Sequence, residues 1–220
     1  MAVFRFSLFF YYIFYISWRN DNEGVKTYYM GQYYTAILLD EQNQPSTCSP
    51  YDFDNGSKLM EHSYIANNFV NAVLAEIQDA PHRVYWLGDY AEDKHFRNQE
   101  FVLTSKRFGE LTKNESIRIQ PTPANQTWIY DGFYAINLDK REYVKFENTN
   151  PHEYHINPLP LLTAVGNGEG GGDYAGVNED VVGIWAGNYI YITKQLPIDK
   201  EFEEEFQDKT KEYLFGFDLC

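Results

Sequence analysis

The segment Ala36-Ile37-Leu38-Leu39-Asp40 constrains this chain most, because it occurs twice: Ala135-Ile136-Asn137-Leu138-Asp139 repeats four of its five residues. Asp40 is followed 46 positions later by Trp86, and Asp139 is followed 46 positions later by Trp185. Both tryptophans open the same pattern, Trp86-Leu-Gly88-Asp89-Tyr90 and Trp185-Ala-Gly187-Asn188-Tyr189, so two separate matches hold one offset of 99 residues. We read this as an internal duplication, with units over residues 31–93 and 130–192. The expected fold is α+β, mainly antiparallel sheet built from two pseudo-repeated units, with one main helix and a C-terminal helix. Residues 1–29 form an apolar leader, 30–193 the duplicated core, and 194–220 an acidic helix and tail.

In the first unit, Tyr33 to Asp40 is an apolar, strand-forming run. Phe69, Val70, Val73, Leu74 and Ile77 fall at helix spacing, with Asn67 or Ser63 as cap and Pro81 beyond the end. Arg83 to Trp86 reads as a second, buried strand. In the second unit, Trp128 to Asp139 and Glu142 to Phe146 read as a hairpin, and Pro151 to Pro160 as extended loop. Val181 to Thr193 is the last core strand or strand pair. Gly109 to Thr127, with its prolines and Asn-rich turns, is read as a linker, with Ser116 to Gln120 as an edge strand. Phe101 to Leu103 is read as a short strand. Asp199 to Tyr213 is a helix with Phe202 and Phe206 on one face and acid elsewhere.

The balance of 18 basic against 32 acidic residues gives a formal charge of −14. Such a surface repels phosphate backbones, so direct nucleic-acid binding is disfavoured and a basic protein partner, a cation or simple solubility fits better; the partner is an unknown protein or a small polar ligand. Cys48 and Cys220 lack a CxxC context, which suggests a reducing, cytoplasmic compartment. The run Val3 to Trp18 is short for a membrane span and contains Arg5. It is a membrane anchor, an added strand or helix, or translated leader before a start at Met30. We take the last reading, under which the remaining 15 basic and 30 acidic residues keep the chain acidic.

The densest polar cluster comprises Asp52, Asp54, Glu61, His62, Asn67, Asn68 and, after the second strand, Asp89. A histidine beside carboxylates is a candidate general base or metal ligand. His62, Glu61 and Asp89 are therefore the candidate catalytic residues, and the alternative is that His62 hydrogen-bonds the loop before the helix. The second unit carries Gly166-Asn-Gly168-Glu-Gly170-Gly-Gly172-Asp173-Tyr174, where the first has its helix. Glycine lets backbone amides approach and cradle an anion. Gly168, Gly170, Asp173 and Tyr174 thus join Asp52, Asp54 and Asn67 as candidate ligand-binding residues. The run matches neither the Walker loop nor GxGxxG, and two carboxylates, Glu169 and Asp173, are few for calcium. No metal site and no particular cofactor is indicated.

The segments Gly31-x-Tyr33-Tyr34, Lys58-Leu-x-Glu61-His62-Ser, Val84-x-Trp86-x-Gly88-Asp89-Tyr90, Asn137-Leu-Asp-Lys-Arg-Glu-Tyr143 and the glycine-rich run resemble a group of uncharacterised bacterial and phage proteins, over residues 30–193. That resemblance implies a microbial origin and no assigned activity. The Gly-Gly-Asp173-Tyr174 region is similar to the SUKH immunity proteins, which implies inhibition of a partner. Two functions follow. One is an acidic, non-catalytic binding or immunity-type protein; the other is a small hydrolase or transferase built on Glu61-His62. Proximity separates them: a cleft shared by Glu61-His62 and the 166–176 loop favours the enzyme, and placement on opposite faces favours the binder.

Overall fold

The computed structural model describes residues 31–63, 67–95, 109–125, 130, 132–146, 156–197 and 199–215. The leader, Trp128, Cys220 and the strand expected at Phe101 to Leu103 lie outside them. Among the described residues the architecture is α+β: one mainly antiparallel sheet of eight strands with few, short helices. The strands are β1 (Tyr34–Leu39), β2 (Pro45–Cys48), β3 (His82–Gly88), β4 (Tyr134–Asn137), β5 (Glu142–Lys145), β6 (Ala164–Val165), β7 (Tyr189–Thr193) and β8 (Gln207–Asp208). Their order across the sheet is β2-β1-β3-β7-β4-β5-β8, with β6 also on β3. Helices α1 (Leu59–His62), α2 (Asn68–Glu76), α3 (Pro158–Leu162) and α4 (Lys200–Glu205) complete the framework.

Strand β1 reads as expected because its six residues are almost all buried, alternating between two apolar faces. On one face Tyr34, Ala36, Leu38, Val84 and Trp86 join Ile190, Ile192 and the helices α2 and α3 in the main core. On the other, Ile37, Leu39, Tyr85, Leu87, Val165 and Ala186 form a smaller cluster. A strand buried on both faces has no polar alternation, which is why β1 reads as a continuous apolar run. Helix α2 starts at Asn67, whose Oδ1 accepts from Val70 N–H at 3.2 Å, and presents Phe69, Val70, Val73 and Leu74 to the core.

Strand β3 lies at the centre and has three partners. Its first edge pairs with β1 along its length. Its second edge is divided: His82 and Arg83 pair with Ile190 and Tyr189 of β7, while Trp86 and Leu87 pair in parallel with Ala164 and Val165 of β6. This division corrects the expected equivalence of the two tryptophan motifs. Ala36 faces Trp86 across β1 and β3, but Ala135 faces Ile192, not Trp185. Trp185 sits in turns spanning residues 182–187, with Gly183 and Gly187 at φ +76° and +75°. β6 holds the Trp86–Leu87 part of that edge; the chain before β7 bonds Val84 through Gly187 and Asn188 and winds back onto Leu161 and Leu162 through Gly183 and Trp185.

Other expectations shift for similar reasons. Pro158 to Leu162 is helix α3, begun by Asn157 Oδ1 accepting from Leu159 N–H at 3.0 Å. Residues 109–125 are not a free linker. Ile119 is buried and donates its N–H to Thr47 O at 2.7 Å, and Leu111 packs on the smaller cluster. In place of an edge strand, Glu115–Ile117 is a 3-10 turn, and Arg118 makes a single bridge to Thr47. The C-terminal helix stops at Glu205; Phe206 turns extended, and β8 pairs with Glu142 and Tyr143 of β5. Phe202, Tyr213 and Phe215 are buried, so residues 199–215 belong to the folded body and are not an appendage.

Candidate functional site

His62 closes helix α1 and is 0% exposed. Indole N–H groups only donate, so the 2.9 Å contact from Trp86 Nε1 makes His62 Nδ1 an acceptor. The ring proton is then on Nε2, which donates to Gly56 O at 2.8 Å. Phe69 and Trp86 pack on the ring, with centroids at 4.6 and 5.9 Å. Burial lowers the histidine pKa to about 4, so the ring is neutral at physiological pH. A neutral imidazole with both nitrogens bonded and no exposed face has nothing left to offer a substrate or metal. His62 is placed as the hydrogen-bonding core residue that ties α1 to β3.

The other members of the first cluster are dispersed in local structure. Glu61 Oε2 accepts from Lys58 N–H at 2.9 Å, tying the start of α1. Asn67 caps α2 and donates to Glu61 O at 3.1 Å. Asp52 lies in the 3-10 turn Pro50–Phe53 and faces Arg118 at 3.6 Å. Asp54 ends that turn in the left-handed region at φ +52°. Asp89 stands at the far end of β3, where its Oδ1 accepts from Tyr33 N–H at 2.9 Å. Each of these residues is placed by local structure: a cap, a turn or a strand end.

The glycine-rich loop does cradle an anion, and the anion is its own Asp173. Oδ2 accepts from Gly168 N–H at 2.7 Å and from Gly170 N–H at 3.0 Å. Oδ1 accepts from the Tyr34 hydroxyl at 2.9 Å and from Gln32 Nε2 at 3.3 Å. Gln32, fully buried, also donates to Gly166 O at 2.8 Å and to the Tyr34 hydroxyl. Burial raises the Asp173 pKa against the lowering effect of these donors. It also raises that of Tyr34, with the Asp173 charge adding to it. Gly170 is required by contact, since a Cβ there would lie 2.9 Å from Gln32 N, and Gly168 by its φ of +97°. Tyr174 is buried; its N–H donates to Asn167 Oδ1 at 2.8 Å and its hydroxyl to Val177 O at 2.6 Å.

The loop and α1 touch directly. Met60 N–H donates to Gly172 O at 3.2 Å, Gln32 N–H donates to Gly171 O at 3.0 Å, and the Lys58 side chain fills the space beside Gly172. The two candidate segments are therefore neighbours, but they use their polar groups on each other and on the core. A depression of about 310 Å³ lies at the opposite end of β1, lined by Asp40, Glu41, Asp79, Pro81 and His82, and includes none of the predicted site residues. Among the described residues there is no group of three or more His, Cys, Asp or Glu side chains arranged to hold a metal. Nor is any helix among them long and apolar enough to cross a membrane.

Sequence reasoning missed Gln32 and Tyr34 as partners of Asp173, although both fall in the Gly31-Gln32-Tyr33-Tyr34 motif. It also missed a polar knot across the seam between β3 and β7. There Arg83 donates to Gly187 O at 2.8 Å and to Asp139 Oδ2 at 3.3 Å, and lies 4.1 Å over the Tyr189 ring. Asp139 Oδ2 also accepts from Tyr189 N–H and Asn188 Nδ2. The repeated motif flagged Asp139, but no local pattern pointed to Arg83. Comparison with family models, with curated proteins and with solved structures gave no match.

Proposed function

We propose that this chain is an acidic, non-catalytic binding protein of the immunity type, acting by occupying a protein partner. The observation that carries the reading is the fate of its chemically capable groups: His62 spends both ring nitrogens within the core, and Asp173 spends one carboxylate oxygen on its own loop and the other on Tyr34 and Gln32. A hydrolase or transferase built on Glu61-His62 needs at least one of these groups facing a substrate. The charge of −14 adds to the binding reading by favouring a cationic partner and disfavouring nucleic acid.

The test is capture of partners by the tagged full-length chain in its source cells, with proteins and small molecules both identified by mass spectrometry. The reading expects a stoichiometric protein partner whose recovery is unchanged in a folded His62→Gln variant. A retained small molecule or metal that disappears in His62→Gln would overturn it and restore the enzyme reading.

A further inference from the structure

We propose that Asn55-Gly56 is a site of spontaneous covalent modification, where the asparagine converts to aspartate and isoaspartate and helix α1 thereby loses part of its tie to the core. The fold protects Asn167-Gly168, the same dipeptide, from that reaction. The site stands whether or not the chain binds a partner.

Asparagine is among the thermolabile residues. A following glycine leaves it most open to attack, because no Cβ hinders the approach of the next backbone nitrogen. The full sequence holds two such pairs, Asn55-Gly56 and Asn167-Gly168. In both, the asparagine is half-buried and the glycine is exposed, so access to water does not separate them. Bonding of the reacting atoms does. Gly168 N–H donates to Asp173 Oδ2 at 2.7 Å. The Asn167 side chain is held at both ends by the buried Tyr174: Nδ2 donates to Tyr174 O at 3.1 Å, and Oδ1 accepts from Tyr174 N–H at 2.8 Å. Attack at this pair requires all three bonds to break. Among the described residues, Gly56 N–H makes no hydrogen bond. The Asn55 side chain is restrained by a single bond, from Nδ2 to Phe53 O at 2.9 Å. Residues 55–57 lie between the 3-10 turn Pro50–Phe53 and α1, in no helix or strand.

The reaction needs no reagent but water. Gly56 N gives up its proton and bonds to Asn55 Cγ, the Cγ–Nδ2 bond breaks, and ammonia leaves. Water then opens the cyclic imide at either carbonyl. One opening gives aspartate; the other gives isoaspartate, whose main chain runs through Cβ and Cγ and is one atom longer. That atom enters directly before Gly56, whose carbonyl accepts from His62 Nε2 at 2.8 Å. The next carbonyl, of Ser57, accepts from Tyr34 N–H at 2.7 Å. Little room is left there, since a Cβ on Gly56 would lie 2.1 Å from Glu61 Oε2. The lengthened segment displaces the Gly56 carbonyl, and the buried Nε2–H of His62 is left without its acceptor, which costs stability.

The test ages the full chain in mildly alkaline buffer made with heavy-oxygen water, folded and, in parallel, unfolded in guanidinium chloride. Peptides around Asn55 and Asn167 are followed by mass spectrometry with fragmentation that distinguishes aspartate from isoaspartate. In denaturant both pairs are expected to convert at similar rates, taking up the heavy oxygen. In the folded chain Asn55 is expected to convert at least about tenfold faster than Asn167, the ratio that two additional hydrogen bonds give. No conversion of Asn55 in the folded chain, conversion no faster than at Asn167, or the same ratio in denaturant overturns the proposal. Asn55→Gln, whose longer side chain closes the imide far less readily, is expected to stay unmodified and to keep its unfolding midpoint on ageing. The isoaspartyl form isolated from aged wild type is expected to unfold at lower denaturant than fresh protein. Equal stability of the two refutes the loosening of α1.

Discussion

Acidification from pH 7.5 to 4 is expected to cost this protein about 3 kcal/mol through His62 alone. In the unfolded chain the ring titrates near 6.5; in the folded protein burial lowers that value to about 4. As pH falls between these values the unfolded state takes up a proton that the folded state refuses. The stability that His62 contributes is therefore complete above the unfolded value and is lost as pH falls to the folded one. A difference of roughly 2.5 pH units, at about 1.4 kcal/mol each, gives roughly 3 kcal/mol. Against a typical total of about 5–15 kcal/mol, such a loss moves the unfolding midpoint substantially. The assay is urea unfolding followed by tryptophan fluorescence across this pH range, for wild type and His62→Gln. Glutamine can still donate to Gly56 O and accept from Trp86 Nε1 but carries no titrating group, so the difference between the two curves isolates the histidine. If wild type and variant lose stability in parallel, or if the His62 ring titrates by NMR near 6.5, the assignment of the neutral core tautomer is wrong.

Three further expectations concern the residues that hold the sheet and loop. Gly183→Ala should destabilise by roughly 2–3 kcal/mol in thermal unfolding, because its φ is +76° and a Cβ would lie 2.3 Å from Ala164 O. Glu142→Ala should cost about 2 kcal/mol or more and Glu142→Gln distinctly less. Oε2 of Glu142 accepts from both Trp185 Nε1 and Tyr213 OH, each at 3.0 Å, and the amide keeps an acceptor for them; chemical denaturation of the two variants checks this. Asp173 should titrate above its ordinary value of 3.8 in a carbon-detected NMR experiment. Its contribution to stability is then fully present below the unfolded value and lost as pH rises through the folded one, opposite in sign to that of His62.

What the sequence disclosed follows the range of the interactions involved. Strand β1 and helix α2 were legible because burial imposes a local pattern: a continuous apolar run in one, a 3.6-residue stripe behind an asparagine cap in the other. The hairpin of β4 and β5 was legible because its two strands are joined by four residues. Helix α4 was read too long because Phe202 and Phe206 are stacked as a helix would place them, at 4.3 Å, yet the chain leaves the helix to pair with β5. That pairing partner lies more than sixty positions upstream, beyond any periodic signal. The site shows the same limit. His62 was visible as an unusual residue, but its role depends on Trp86 and Gly56, brought to it by the fold. The glycine run was visible as a loop whose amides can meet an anion; that Asp173 itself fills it depends on Tyr34 and Gln32, about 140 positions away.

The divided edge of β3 has a consequence for how the chain is made. Residues 82–88 leave the ribosome with β1 already available for one edge, but the partners of the other edge, β6 and β7, come about 75 and 100 residues later. At about 5–20 residues per second, the β6 part of that edge stays unpaired for roughly 4–15 s and the β7 part for roughly 5–20 s of each synthesis. An apolar strand with free amides is a template for pairing with the wrong chain. The nascent protein is thus most exposed to aggregation in the interval between its two halves, and yield in the cell should depend on elongation rate and on holding chaperones more than the finished fold would suggest.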